Sequence, residues 1–401
     1  ARALTGGPYD RHGPFLGPDG WIYWCKGAFA EQTYERPGRS PFVTRAAHIF
    51  RRRPEGGPVE PVMTGGMDNP VDVVFTPGGE RLFTTTFLQH PAGGLRDGLI
   101  HAIYGGVYGK VHGVLDGHPR TGPVMPVLAH YGAAAPCGLA RLETDRFGPD
   151  YRDNVMACLF NMRKIVRNRL IPAGATFEAV QEDFLVSDNV DFHPTDVFED
   201  ADGSLLVVDT GGWYKLCCPT SQLWKPDVLG GIYRVRRTGA PAVGDARGRT
   251  VDWSALSEND LAELLGDARF AVRHRAQQLL GERGRAALAP TAALLKSSSP
   301  DVRLQAVWTL TRIDDPTARL AVRSALSDDD ETVRQAALHS ISVHRDAGAE
   351  QALIEMLGNS SSQNRRAAAE ALGRVGTERA IGALLEASVD PSDRALDHSL
   401  I

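Results

Sequence analysis

Two stretches in the first half of the chain match without a gap and place chemically capable side chains at the same points. Asn69-Pro70-Val71-Asp72-Val73, with Gly79 and Leu82-Phe83 behind it, repeats as His193-Pro194-Thr195-Asp196-Val197, with Gly203 and Leu206-Val207. Asn69 and His193 therefore hold one position of a repeated unit, and Asp72 and Asp196 each follow it by three residues. His12 lies near the corresponding point of an earlier unit. Two histidines from different units, with Arg163 and Asp209 from others, make a polar cluster. Such a cluster could act as base and electrostatic stabiliser in hydride or proton abstraction from an alcohol carbon. It could equally bind a sugar without reacting, and a histidine lining a channel is as often a hydrogen-bonded filler. The catalytic candidates are His12, His193 and Arg163. The cofactor-binding candidates are Asn69, Asp196 and Asp209, and no metal ligand is assigned.

Other motifs are read conservatively. Glu199-Asp200-Ala201-Asp202-Gly203-Ser204 resembles the opening of a calcium loop but lacks the downstream glutamate, and Gly203 aligns with turn glycines, so a hairpin turn is preferred. Trp213, Tyr214 and Trp224 form either an aromatic wall for a sugar ring or a cover for a sheet edge. Adjacent Cys217 and Cys218 form either a vicinal disulfide or two packed thiols. With Cys25, Cys137 and Cys158 the count is five, and no C-x-x-C or C-x-x-C-H occurs, so neither a zinc knuckle nor covalent haem attachment is encoded.

The elements that position these residues repeat every sixty residues or so. Further copies are Pro136-Cys137-Gly138-Leu139 and Gly17-Pro18-Asp19-Gly20-Trp21-Ile22-Tyr23. Within each unit β-prone runs flank a turn, and Asp19-Gly20 and Asp202-Gly203 are tight-hairpin chemistry. No amphipathic helix separates the runs, which argues against a parallel α/β fold. Radially repeated four-stranded units make a propeller. Four units end at Gly230-Gly231-Ile232-Tyr233-Arg234-Val235-Arg236-Arg237. A six-bladed ring needs about 360 residues at this blade size, so two N-terminal blades are expected to be missing, leaving an exposed sheet edge.

A second repeat governs the rest. Arginine is followed at +3 by a small residue and at +7 by a large apolar one: Arg273, Ala276, Leu280; Arg303, Ala306, Leu310; Arg334, Ala337, Ile341; Arg365, Ala368, Leu372. A fifth start at Arg394 has Asp397 in place of the small residue. Positions +3 and +7 share one helical face. Leu294-Leu295, Ala325-Leu326, Ile354 to Leu357 and Leu384-Leu385 mark a second helix per unit, as in HEAT-like repeats. The arginine is expected to pair with an acidic residue or cap helix ends of the neighbouring repeat. The fold class is thus multidomain β + α. A partial β-propeller, about four visible blades of six, spans 1–238. A linker covers 239–258, and a HEAT-like α-solenoid covers 259–401, truncated at its C-terminus.

The formal net charge of −5 argues against nucleic acid as partner. No apolar run approaches the length that crosses a bilayer. The chain opens Ala1-Arg2-Ala3-Leu4, without initiator methionine or signal peptide, and reads as a fragment or processed product.

The motifs Gly17–Tyr23, Phe192-His193-Pro194-Thr195-Asp196-Val197, Asp202-Gly203-Ser204-Leu205, Asp209-Thr210-Gly211 and Gly231-Ile232-Tyr233-Arg234-Val235, in this order and ahead of a solenoid, resemble the planctomycete-type membrane-bound dehydrogenase family. That resemblance covers nearly the whole chain. It implies a propeller similar to the glucose/sorbosone dehydrogenases, HEAT-like repeats and a C-terminal c-type haem module. It also implies a periplasmic or secreted setting and PQQ-dependent oxidation of a sugar or alcohol, with calcium. The expected function is a fragment of a periplasmic quinoprotein-like sugar/alcohol dehydrogenase whose solenoid positions a haem module or a protein partner. The alternative is a non-catalytic carbohydrate- or protein-binding scaffold. Without C-x-x-C-H, haem is not expected on this segment.

Overall fold

A computed structural model describes residues 11–36, 38–89, 92–215, 222–389 and 393–401. Strands occupy the chain as far as Val235 and helices follow from Glu258. The first sheet orders β1 (Arg11–Leu16), β2 (Ile22–Lys26), β5 (Ala47–Arg53), β6 (Gly56–Gly65) and the short β10 (Val107–Tyr108). A ribbon of β3 (Gln32–Tyr34) and β4 (Phe42–Thr44) projects from it. The second sheet holds β7 (Asn69–Phe75), β8 (Arg81–Thr86), β9 (Asp97–His101) and β11 (Ala129–Gly132). The third holds β12 (Pro136–Arg141), β13 (Val155–Leu159), β14 (Lys164–Ala173) and β15 (Thr176–Val186). The fourth holds β16 (Pro194–Glu199), β17 (Leu205–Asp209) and β20 (Gly231–Val235), with the hairpin β18 (Trp213–Lys215) and β19 (Gln222–Trp224) between them in sequence.

Pairing within the four sheets is antiparallel apart from β6 with β10. The first strands of the sheets, β1, β7, β12 and β16, lie side by side in that order and form an inner wall. Each breaks register at the same place: between His12 and Phe15, Pro70 and Val73, Pro136 and Leu139, and Pro194 and Asp196. A proline lacks the N–H a regular ladder needs, so it sits naturally at such a bulge. The sixty-residue period of the sequence is therefore one sheet per unit. The central strand β13 is apolar and buried at all five positions, as a strand covered on both faces must be.

The helices pair as hairpins: α1 (Glu258–Glu263) with α2 (Phe270–Arg283), α3 (Leu288–Ala293) with α4 (Pro300–Thr311), α5 (Pro316–Ser324) with α6 (Glu331–His344), α7 (Glu350–Met356) with α8 (Ser362–Val375), and α9 (Glu378–Ala387) with α10 (Arg394–Leu400). Ala276, Ala306, Ala337 and Ala368 are fully buried where successive helices approach. The repeated arginine closes its own repeat. Arg273, Arg303 and Arg334 donate to the carbonyls of Asp267, Ser297 and Asp328, six residues earlier, and Arg365 to Leu357. Each thereby satisfies carbonyls orphaned at the end of the preceding helix. Arg303 also pairs with Asp328 of the next repeat. Within residues 239–258 one aromatic anchors the chain to the first helical pair. Trp253 is buried, donates Nε1 to the Gly248 carbonyl at 2.8 Å and lies under the Arg275 guanidinium.

The solenoid lies against the sheets, and one buried apolar cluster runs through both. The helical face turned toward the sheets is covered by them. Positions +1 and +5 of successive repeats, Gln335 with His339 and Arg366 with Glu370, are occupied by the sheets themselves. The hairpin turns that carry the repeated glycines reach into that face. Gly79, at φ +96°, sits against Trp308 and His339, and Trp308 Nε1 donates to the Pro77 carbonyl at 2.9 Å. Glycine is required there by both the dihedral and the contact. At the centre Glu80 accepts from His101 (2.6 Å), Gln335 (2.6 Å), His339 (3.0 Å) and Arg366, all of them buried. Glu370 pairs with Arg81 beside it. Two glutamates thus face two arginines in one buried cluster.

Candidate functional site

Chain direction gives the inner wall two ends. At the end where its strands begin, called upper, the fourth sheet presents His193. Its Nδ1 donates to the carbonyls of Gly211 (2.7 Å) and Asp191 (3.0 Å), which assigns the ring lone pair to Nε2. Its ring packs on Phe160, centroids 4.7 Å apart. Phe160 belongs to the turn joining β13 to β14, and Arg163 closes that turn at φ +54°. His193 and Arg163 thus come from neighbouring sheets at one end of the wall. Among the described residues the Arg163 guanidinium has no hydrogen-bond or ion-pair partner, whereas Arg96, Lys110 and Lys225 at this end are tied to Asp97, Asp68 and Asp191.

The remaining candidates fall differently. Asp209 is not from a separate sheet; it ends β17 beside His193. Its Oδ1 accepts the backbone N–H groups of His193 and Gly211, both at 2.8 Å, so it shapes the turn that holds the histidine. Asn69 opens β7, paired with Thr86. His12 lies on β1 opposite Cys25, with β7 and β12 between its strand and that of His193. Cys217, Cys218 and the side chains of Trp213, Tyr214 and Trp224 lie outside the described residues. Glu199 to Ser204 is the hairpin turn between β16 and β17, closed by Gly203 N–H to the Asp200 carbonyl. Cys25, Cys137 and Cys158 carry free thiols.

Asp196 leads elsewhere. It and Asp72 sit at matching bulges of β16 and β7, with Gly138 at the matching bulge of β12 between them. Asp72 Oδ2 accepts Leu139 N–H at 2.8 Å, which ties β7 to β12. Burial pushes the Asp72 carboxyl up to about 7, with the Asp196 charge adding to the effect, and burial also raises Asp196. The sequence repeat could have flagged Asp72 as it flagged Asp196. A side chain on Gly138 would stand 2.6 Å from Asp196 Cα and 2.9 Å from the Thr195 carbonyl. Gly138→Ala is therefore expected to force β12 and β16 apart and cost about 1–3 kcal/mol, read as a lowered denaturant midpoint; an unchanged midpoint would contradict this close approach.

An anionic quinone with calcium would need cationic groups for its negative charge and an oxygen-rich ligand set for the metal. Arg163 and His193 suit the first requirement. For the second, no group of three His, Cys, Asp or Glu that could hold a metal ion occurs among the described residues.

Antiparallel sheets joined through an inner wall and backed by a HEAT-repeat solenoid define a mixed β and α-helical protein of two stacked parts. The chain belongs to the family described as Domain of unknown function (DUF7133), whose model matches residues 11–238. HEAT repeats match residues 258–342 and 320–401. No curated protein matches. Solved structures similar to the chain include a glucose dehydrogenase (14% identity, 59% of this chain and 86% of that chain, TM-score 0.38). The PQQ-bound aldose sugar dehydrogenase of Streptomyces coelicolor is similar at 13% identity, over 58% of this chain and 81% of that one, TM-score 0.35. The CpcE–CpcF complex of phycocyanin lyase from Nostoc is similar at 21% identity, over 40% and 67%, TM-score 0.31. No helix among the described residues is long and apolar enough to cross a membrane.

Proposed function

We propose that the chain is the sugar- or alcohol-handling part of a periplasmic or secreted quinoprotein-like dehydrogenase of the planctomycete-type membrane-bound family, with its reacting groups at the upper end of the inner wall. In this reading the sheets are four blades of a six-bladed propeller spanning 1–238, joined through 239–258 to the solenoid of 259–401. The observation that carries it is that a tautomer-fixed His193 and an Arg163 without an ion-pair partner among the described residues stand on neighbouring sheets at one end of that wall. Donation from Nδ1 to the Gly211 carbonyl makes Nε2 the basic atom. His193 Nε2 takes the hydroxyl proton of the substrate as the carbinol C–H bond breaks. Arg163 stabilises the negative charge that develops on oxygen. Phe160 holds the imidazole plane, while His12 and Asn69, from the first two sheets, orient substrate hydroxyls. A quinone such as PQQ, when bound beside Arg163, would supply the two-electron acceptor. The solenoid, whose inner face is covered by the sheets, is left its outer helices for a protein partner or haem module.

The test is a dye-linked oxidation assay over sugars and alcohols with added PQQ and calcium. Turnover is expected, reduced about 100-fold or more in His193→Ala. Saturable sugar binding without turnover would support instead the non-catalytic scaffold, a reading favoured by the two backbone carbonyls that already hold the His193 ring.

A further inference from the structure

At the lower end of the inner wall the solenoid does not close onto the sheets. The later repeats dock tightly around Glu80, and the Trp308–Pro77 hydrogen bond borders the gap. Beyond it, α2 and the start of α4 stand away from the third and fourth sheets. Two partly exposed ion pairs span the gap, His274–Glu143 at 3.1 Å and Arg152–Asp301 at 2.9 Å. The cavity so bounded has a volume of about 1040 Å³, the upper end of the size of small-molecule sites. Close-packed interiors leave no such volume between parts that merely support one another.

Its lining narrows the class of ligand. Three of the lining arginines are paired with carboxylates, Arg141 with Asp153 at 2.7 Å, Arg269 with Asp267 at 2.7 Å and Arg152 with Asp301, while Arg146 and Arg273 donate to the backbone carbonyls of Pro241 and Asp267. Fixed ion pairs of this kind offer hydrogen-bond donors and acceptors at set positions, and the excess of carboxylates over arginines in the lining disfavours an anionic ligand. Asp72 and Asp196 face the same cavity from the inner wall. Among these polar groups stand aromatic rings the fold leaves uncovered. Phe198 on β16 is 43% exposed, and Phe15 and Phe270 are half-buried across from it. Flat apolar faces between fixed donors and acceptors match a ligand that is neutral, rich in hydroxyls, and apolar on its ring faces.

We propose that the cleft between the lower end of the sheets and the first two solenoid repeats binds a neutral oligosaccharide, at a site separate from the His193 end. Sugar rings stack on Phe198 and Phe270, and hydroxyls bridge the Arg152–Asp301 and Arg141–Asp153 pairs.

The test is calorimetric titration of the full chain with maltotriose, cellotriose and xylotriose, and with trigalacturonic acid as the charged control. At least one neutral trisaccharide is expected to saturate, and Phe198→Ala to weaken it about tenfold or more. Phe270→Ala, from the opposite wall, is expected to do the same, so a misfolded first variant does not leave the matter open. His193→Ala is expected to leave this affinity unchanged, whatever it does to oxidation. The proposal is overturned if no neutral trisaccharide saturates by about 10 mM. It is equally overturned if both aromatic variants bind as the parent does, if the charged sugar binds more tightly, or if His193→Ala abolishes binding.

Discussion

Arg366→Ala is expected to destabilise the protein by about 3–5 kcal/mol and to split its unfolding into two steps. Arg366 is fully buried, and its partner Glu80 is fully buried too. Burial alone would raise the Glu80 carboxyl; Arg366, His339 and His101 hold it instead well below the usual carboxylate range. Removing the guanidinium leaves a carboxylate with only His101, His339 and Gln335 as hydrogen-bond partners, in a medium that solvates charge poorly. It also frees the Ala175 carbonyl, which Arg366 Nε meets at 3.0 Å, and removes a neighbour of Glu370. All these partners lie on the joint between sheets and helices, so the solenoid should release before the sheets unfold. Denaturant curves followed separately by tryptophan fluorescence and helical circular dichroism are expected to diverge in the variant and coincide in the parent. The paired change Glu80→Gln with Arg366→Met should recover much of the loss, because neither charge is then stranded. A loss below about 1 kcal/mol would mean that water reaches the joint.

Stability is expected to be greatest near neutral pH and to fall in two stages on acidification. Burial lowers His48 to about 3 and, with Arg319 nearby, lowers His344 to about 4. A histidine depressed when folded takes up its proton more readily unfolded, so stability drops as pH falls from 6.5 toward these values. Asp72 acts in the opposite sense. Its pKa of about 7 when folded means that it binds a proton between 7 and 3.8, where the unfolded chain does not. Burial lowers His101, His118 and His398 as well and raises Asp196 and Glu199, so five histidines stand against three carboxyls and the balance is a loss of stability on acidification. At lower pH the ion-paired carboxylates add to the loss. Glu60, held by Arg51 and Arg374 against the cost of burial, and Glu370, held by Arg81 and neighbours, both lie at about 2. Their stabilisation is present above the unfolded value and disappears as they protonate, and Glu80 behaves likewise. Denaturant midpoints measured every half unit from pH 7.5 to 3 should show a shallow slope that steepens below about 4.5. His48→Gln is expected to flatten the shallow limb alone, and an identical limb in that variant would contradict the assignment.

Particular residues show how far the sequence reached. The match of Asn69–Val73 with His193–Val197 located two inner strands, and the structure adds a bulge at the proline of each, where the ladder breaks. The Arg-Ala-Leu period located the helices, and the arginine acts on carbonyls close behind it in sequence. Asp209 was misplaced among separate units since sequence spacing does not say that β17 returns beside the start of β16. Gln335, His339, Arg366 and Glu370 stand at +1 and +5 of a repeat whose regular positions are +3 and +7. Their variability was visible, but not that a glutamate almost three hundred residues earlier would meet Arg366.

Periodicity alone determined that this chain makes antiparallel sheets and then helical hairpins, since each unit satisfies its backbone hydrogen bonds within itself or with its neighbour. Tertiary structure alone decided that the solenoid turns its inner face onto the sheets, that Glu80 becomes the centre of a buried charge cluster, and that a cleft stays open beyond Trp308. Those outcomes depend on side chains remote in sequence meeting out of water, where the worth of a charge is set by its partners and not by its own identity.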